Sequence, residues 1–413
     1  MKKKLKPSEI RGRVQAPPSK SFAQRAIALA AMAGGRSEIL YPGNSDDVCV
    51  AIDVARQLGA WMENITTDKL AISGGMTLPG EPLDCGEAGL SIRMFSSIAS
   101  VFNKPVTLTG KGSLLKRPMG VVEDSLKAMG VQCNTSNGYL PLTVCGPIKG
   151  GVATVDGAFS SQVLTGILIA APYAENDLTI KVENLKSRPY IDITLDVMKS
   201  FGVEVENHDY SEFFIRSGQK YRATRYLVEG DWSAAAFLLV AGAIGGQVTI
   251  ENIDVRSPQA DTAILDALGS AGADFSFGEK EVSVNKSSLR GFIFDATHCP
   301  DLFPPLVSLA SYCDGETRIR GAGRLIHKES NRAGTLKEEF GKMGIVVIID
   351  GDEMIVKGGA CKGGSVFSHG DHRIAMACAI AALDCQGEVE IEGAEAVAKS
   401  YPGFFEDIES LMV

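Results

Sequence analysis

Leu126–Val131 reads L-K-A-M-G-V, and Met198–Val203 reads M-K-S-F-G-V. Looser copies surround Gly59, Gly272 and Gly344, so this step into glycine falls at 59, 130, 202, 272 and 344, with successive spacings of 71, 72, 70 and 72. A period of about seventy residues sustained along a chain means one structural unit used repeatedly. A second text, G-x-V-x-I-x-N/G, is clearest at Gly246–Asn252, Gly315–Gly321 and Gly387–Gly393, with weaker copies ending at Gly43, Gly110 and Asn184. Alternating β-branched and polar residues closed by Gly or Asn predict a short half-buried strand running into a turn.

Before each strand comes a run rich in Ala, Leu, Ile, Ser and Met: Ala26–Ala33, Ser91–Phe102, Val163–Ala171, Ala234–Ile244, Leu306–Tyr312 and Ile374–Leu383. These runs are apolar on nearly every face, so as helices they should be buried. Each unit then holds a buried helix, a strand, a more polar helix ending at the glycine step, and further strand. Alternation of strands and helices gives an α/β module with right-handed crossovers. Six all-apolar helices cannot share one surface, so they must be interior to strands that wrap them. The 45 glycines in 413 residues exceed the usual ~7%, and recurring helix ends and strand exits, which take left-handed backbone, account for much of the excess.

At ~150 residues per domain the length implies two or three domains. A net charge of −9 gives no general affinity for nucleic acid or anionic membranes, so any anion must be met at a local basic site. The Lys-rich start is followed by Pro7, Ser8, Glu9, Arg11 and Arg13 where a signal peptide needs an apolar run, and a cytoplasmic chain is expected. The nine cysteines show no C-x-x-C pair and no metal-ligand spacing, and read as small buried hydrophobes in a reducing compartment. There is no P-loop or Rossmann fingerprint.

Polar residues gather at the front of each buried helix: P-S-K-S-F-A-Q-R (Pro18–Arg25), G-E-A-G-L-S-I-R (Gly86–Arg93), F-S-S-Q (Phe159–Gln162), G-D-W-S (Gly230–Ser233), C-P-D (Cys299–Asp301) and G-D-H-R (Gly370–Arg373). Asp231, Asp301 and Asp371, spaced 70 and 70, suit the role of N-cap, which helices need in any case. Capping does not explain Lys20, Arg25, Arg93 and Arg373, because cations oppose the helix dipole there. They make sense if an anion lies among them and the free N–H groups. Further basic residues stand in loops at Lys111–Pro118, Ser187–Tyr190, Arg324–Arg332 and Ala398–Pro402. Lys111 and Lys116 read equally well as a solvated face. The rest point to a small ligand with more than one anionic group, held by Arg forks and Lys point charges.

In this order, P-S-K-S, S-S-Q, R-P-Y-I-D-I-T, V-E-G-D, K-E-S-N-R, D-H-R-I-A-M-A and A-K-S-Y-P resemble the enolpyruvyl transferase family along the whole chain, in particular its branch acting on shikimate 3-phosphate. The resemblance implies a two-domain inside-out α/β barrel of six βαβαββ units. Residues 1–18 and 228–413 would form a lower domain and 19–227 an upper one, with substrates in the cleft. It implies transfer of the enolpyruvyl group of phosphoenolpyruvate to the 5-hydroxyl of shikimate 3-phosphate with release of phosphate, by a cytoplasmic monomer using no metal or organic cofactor. Shikimate 3-phosphate would be held by Lys20, Ser21, Arg25, Ser160, Ser161, Gln162, Ser187, Tyr190, Asp301 and Lys328. Phosphoenolpyruvate would be held by Lys20, Gly89, Arg117, Gln162, Arg332, Arg373 and Lys399. Asp301 would be the base, and Glu329 the proton donor and acceptor, assisted by Lys20. Taken by themselves, Asp301 could be only a cap and Glu329 only a partner of Lys328 or Arg332. His372 suits a supporting hydrogen bond beside Asp371.

The chain departs from the family text at Pro18, Gln24, Glu87, Leu90, Met94, Ile326 and Asn331. Glu87 needs a partner, since a carboxylate beside an anionic substrate is repulsive. A Lys or Arg is expected to pair with it, and the stretch from Glu87 to Met94 to alter phosphoenolpyruvate affinity and the response to glyphosate. Two alternatives stay open: transfer to UDP-N-acetylglucosamine, against which stand Ser21 after Lys20 and the lack of Cys in Lys111–Pro118, and a non-catalytic phosphometabolite binder.

Overall fold

The computed structural model describes residues 1–63, 65–158 and 160–413, with the side chain of His327 outside that description. Phe159, the first residue of the F-S-S-Q stretch, lies outside the described residues. The chain divides into two compact units, one of Met1–Pro17 with Glu229–Val413 and one of Pro18–Val228.

Every apolar run forms a helix, and each helix begins earlier than the run, five of the six within the polar text before it. They span Lys20–Met32, Gly89–Ala99 and Ser161–Ala170 in one unit, and Trp232–Gly245, Phe303–Ala310 and His372–Ala381 in the other. In Gly89–Ala99 and His372–Ala381 every residue is buried. Within each unit the three helices pack on one another. Large apolar side chains such as Phe95, Phe237, Leu238 and Phe303, all fully buried, each contribute about 1.5–3 kcal/mol.

Six small sheets surround these helices on a common plan. Gly151–Asp156 pairs in parallel with Leu178–Glu183 across the helix Ser161–Ala170, and Glu212–Ile215 and Glu206–His208 complete the sheet antiparallel. Leu83–Asp84 with Val106–Thr109, and Ile293–Asp295 with Glu316–Arg320, open two more sheets of this form. In two sheets the parallel strand comes from far along the chain. Ile10–Gln15 pairs with Gly246–Glu251, and Arg225–Leu227 pairs with Gly35–Leu40. The first pairing is close enough that a Cβ at Gly246 would run into the backbone of Ile10. The last sheet has three strands, Gly364–Phe367, Val389–Glu392 and the N-terminal Lys2–Leu5. The result is an α/β fold of six βαβαββ-type units with helices inside and sheets outside, three of the units completed by a strand distant in sequence.

The glycine excess is explained at the repeat. Gly59, Gly130, Gly202, Gly272 and Gly344 all have φ between 77° and 99°, a left-handed conformation only Gly adopts cheaply. At the strand exits Gly43, Asn184, Asn252, Gly321 and Gly393 share it, whereas Gly110 does not.

One expectation is corrected. Cys361 and Cys385 form a disulfide with Cα atoms 4.7 Å apart, and Cys49 is exposed and Cys145 half-buried, while Cys85, Cys133, Cys299, Cys313 and Cys378 are free and buried as expected. A separation of 24 residues matches no sequence motif. The partners become neighbours only because the chain returns after the helix His372–Ala381, where the Gln386 N–H donates to the Cys361 carbonyl at 2.8 Å. Among the described residues no helix is long and apolar enough to cross a membrane.

Candidate active site

Each unit carries its own polar cluster at the helix fronts. In Pro18–Val228, Lys20 opens its helix and its Nζ lies 2.8 Å from the buried carboxylate of Asp47. Ser21, one residue on, is half-buried. Arg25, one turn further and 1% exposed, donates from Nε to Thr194 Oγ1 (2.9 Å), from Nη1 to the Ser21 carbonyl (2.8 Å), and from Nη2 to Thr165 Oγ1 and the Tyr190 carbonyl (both 3.2 Å). It thereby ties its own helix to the Ser161–Ala170 and Pro189–Ser200 helices. All four acceptors are neutral, and burial lowers its pKa to about 10, so it stays a cation at neutral pH. A buried guanidinium met by neutral oxygens still gains from an anion.

Arg93 Nη1 donates to the Gly89 carbonyl and to Gln162 Oε1, both at 3.0 Å. Gln162 is itself placed by Ser160, whose Oγ caps the helix by accepting the Gln162 N–H at 3.2 Å. Ser161 is buried beside it. Arg117 is buried against Gly89: a Cβ there would lie 3.1 Å from Arg93 Nη1 and closer still to Arg117 Nη1. Lys111 and Lys116 are exposed, so the solvated-face reading holds for them. Glu87 accepts the Ser113 N–H at 3.0 Å and its Oγ–H at 2.7 Å, fastening the turn Gly112–Lys116 to the front of the Gly89 helix. Buried Ser187 turns the chain with φ 58°, and its carbonyl accepts the Tyr190 N–H at 3.2 Å.

In the other unit the cluster centres on Asp301. Its Oδ1 accepts from Lys328 Nζ (3.2 Å) and Arg332 Nη1 (2.9 Å), and its Oδ2 from Arg373 Nη2 (3.2 Å). Asp301 lies in the short turn Pro300–Leu302 rather than at a cap. Burial pushes its carboxyl up, but Arg373, Lys328 and Arg332 together hold it well below the usual carboxylate range. Burial lowers Lys328, against the pull of Asp301. Glu329 Oε2 lies 2.5 Å from Arg332 Nη2. Arg332 is fully buried and commits four of its five N–H donors to three carboxylates, adding Asp371 through Nε at 2.9 Å and Nη2 at 3.2 Å.

Two of the three evenly spaced aspartates are caps. Asp231 accepts the Ala234 N–H at 3.1 Å and Asp371 the Arg373 N–H at 3.0 Å. Asp371 does more than cap, since it also grips Arg332. His372 Nδ1 lies 3.8 Å from Asp371 Oδ1, and Lys399 ends a 3-10 turn packed on the His372–Ala381 helix. Glu338, Glu339 and His369 bring ligand-type atoms together. Lys342 Nζ reaches Glu338 at 3.1 Å and Glu339 at 2.8 Å, so the group is an ion-pair network.

Two of the other departures, Asn331 and Gln24, have local partners. Asn331 Oδ1 accepts the Gly334 N–H as a cap, which Asp would also do. Gln24 Oε1 accepts from Ser91 Oγ at 3.0 Å. Leu90 and Met94 are buried, and Ile326 is exposed. Sequence reasoning missed the S-P-Q-A-D stretch. Gln259 Oε1 accepts the Trp232 N–H at 3.0 Å while its Nε2 donates to Glu229 and the Gly230 carbonyl, and buried Asp261 accepts from Ser233. Gln259 and Asp261 gave no signal, because their polar partners lie 27 to 30 residues earlier in the chain and only the fold brings them together.

The EPSP synthase (3-phosphoshikimate 1-carboxyvinyltransferase) model matches residues 5–408. The 3-phosphoshikimate 1-carboxyvinyltransferase of Clostridium novyi (strain NT) is 39% identical over 420 residues, covering 99% of this chain and 97% of that protein. Its counterpart from Methanocorpusculum labreanum is 37% identical over 412 residues, covering 98% and 97%. The solved EPSP synthase of Acinetobacter baumannii matches with TM-score 0.85 at 27% identity, over 100% of this chain and 98% of that one. The enolpyruvyl transferase NikO from Streptomyces tendae, at 18% identity and TM-score 0.81, shares the fold. Together with six repeat units whose helix fronts carry the Lys20, Arg25, Asp301 and Arg332 clusters, a match over almost the entire length means that the chain belongs to the EPSP synthase family.

Proposed function

We infer that this protein is a transferase that moves the enolpyruvyl group of phosphoenolpyruvate onto the 5-hydroxyl of shikimate 3-phosphate and releases phosphate. The observation that carries the reading is Asp301, fixed by Lys328, Arg332 and Arg373, with Glu329 on the same Arg332 guanidinium. Addition of the hydroxyl oxygen to C2 of phosphoenolpyruvate needs its proton removed and another delivered to C3. Elimination then removes a proton from C3 as the C2–O bond to phosphate breaks. Asp301 is the base for the hydroxyl, and Glu329, assisted by Lys20, gives and retakes the C3 proton. Lys20, Arg117, Arg332, Arg373 and Lys399, with Gly89 and Gln162, neutralise phosphoenolpyruvate. Ser21, Arg25, Ser160, Ser161, Gln162, Ser187, Tyr190 and Lys328 hold shikimate 3-phosphate. On this reading the two units are the family's two domains. No cofactor takes part, and the enzyme works as a cytoplasmic monomer on small metabolites, which the charge of −9 supports by disfavouring nucleic acid and membrane.

Phosphate release measured with phosphoenolpyruvate and each acceptor tests this. Release with shikimate 3-phosphate alone supports it, release with UDP-N-acetylglucosamine alone points to the sister reaction, and none with either points to a binder. Gly89→Ala tests the phosphoenolpyruvate side. The added methyl displaces Arg117, and loss of one charge-assisted contact should raise KM for phosphoenolpyruvate roughly ten- to a hundredfold. KM for shikimate 3-phosphate and Tm should change little.

A further inference from the structure

Asp301 poses a difficulty for its own role. Three cations stabilise its anion, and a carboxylate so stabilised is a weak base for a hydroxyl proton. A second buried carboxylate stands in the same unit. Asp261, in the turn Ala260–Ala263, is 2% exposed. One oxygen, Oδ2, accepts from Ser233 at the front of the Trp232–Gly245 helix, and Oδ1 has no hydrogen-bond partner among the described residues. The short turns that carry the two carboxylates, Ala260–Ala263 and Pro300–Leu302, both pack on that helix, and burial and the charge of Asp301 act most strongly on Asp261.

We propose that Asp261 is a positioning residue for the transfer reaction, its negative charge behind Asp301 restoring the basicity that Lys328, Arg332 and Arg373 remove. This rests on Asp301 being the base. A buried carboxylate with one oxygen unsatisfied destabilises the fold, so structure alone gives no reason for Asp over Asn, and a charge acting on a neighbour does. Asp261 is faced by Ser233 and Asp231 from the Trp232–Gly245 helix, by Cys299 and Asp301 from the adjoining turn, and by Arg373 from the His372–Ala381 helix. Burial first, then Asp301, push its carboxyl up to about 7, while Arg373 and Ser233 pull it down. The charge therefore switches on as pH rises through neutrality.

The test is the pH profile of kcat at saturating substrates. In the wild type kcat rises between about pH 6 and 8 as Asp261 ionises. Asp261→Asn should flatten that limb and lower the plateau ~3- to 10-fold, with both KM values nearly unchanged. Ser233→Ala removes the donor that favours the anion, so its limb should move to higher pH, and Asp261→Glu should keep a limb. Stability gives a second readout. Because folding raises the Asp261 pKa above its unfolded ~3.9, its ionisation opposes the folded state increasingly as pH rises from there through about 7. Asp261→Asn should accordingly gain Tm relative to wild type from pH 6 to pH 8. An unaltered limb in Asp261→Asn, or an unaltered one in Ser233→Ala should Asp261→Asn not fold, overturns the proposal. If Asp301→Asn keeps wild-type kcat, the base assignment itself is wrong. If Asp301→Asn is inactive while Asp261→Asn keeps the wild-type limb, only the role of Asp261 fails.

Discussion

Asp301→Asn is expected to lower kcat by ~10²- to 10⁴-fold, the range that a positioned proton acceptor supplies, without raising KM for either substrate. The charge arithmetic gives the second half. Asp301 is the anion shared by Lys328, Arg332 and Arg373, so neutralising it leaves those cations more attractive to substrates that carry phosphates and carboxylates. Ground-state binding should hold or tighten while proton transfer fails. Steady-state kinetics with each substrate varied separate the outcomes. A raised KM with unchanged kcat would mean that Asp301 only spaces the cations. The low proton affinity of Asp301 also fixes a sign. Folding depresses its pKa, so its contribution to stability is present above the unfolded ~3.9 and lost as pH falls through the still lower folded value. Any activity limb near neutrality must come from another group.

The fold was legible because its unit is local. The glycine step at 59, 130, 202, 272 and 344 needs left-handed backbone at the same point of each repeat, and such a demand writes itself into the sequence. The exchanged strands were not legible: Ile10–Gln15 and Arg225–Leu227 look like any half-buried strand, and their partners follow from topology. The site divides in the same way. Arg332 stood out because a cluster of cations needs an anion to explain it, whereas Asp301 by itself read as a cap and its role came from the family resemblance. Their pairing did not stand out, since 31 residues separate them. Asp371 read as a cap, and it is one. Its second job, gripping a guanidinium 39 residues earlier in the chain, depends on how two helix fronts face each other. The Cys361–Cys385 bond was missed for the same reason.

That second job predicts a large loss of stability. Arg332 and Asp371 are both without exposure and are joined through Nε at 2.9 Å and Nη2 at 3.2 Å. Asp371→Ala leaves a buried guanidinium short of two of its bonds and removes the cap on the Arg373 N–H. The first effect should cost about 3–5 kcal/mol and the second about 1 kcal/mol, so Tm by calorimetry should fall by roughly 10 °C or more. The cause is a buried guanidinium with unmet N–H groups rather than a lost attraction, and a double variant tells these apart. Arg332→Met with Asp371→Ala removes both charges, and replacing a buried pair by apolar atoms is often nearly neutral. It should therefore recover part of the Tm that Asp371→Ala loses, the rest staying lost because Asp301 and Glu329 give up a partner in turn. Catalysis should not return, because the double variant also lacks the guanidinium that orients Asp301 and Glu329. If the double variant is instead as unstable as Asp371→Ala, the pair is bound for its own attraction and Arg332 is first a structural residue. A stable but inactive double variant would mean that the chain keeps this buried ion pair to hold Asp301 and Glu329 in place, at the expense of a core that would fold as well without it.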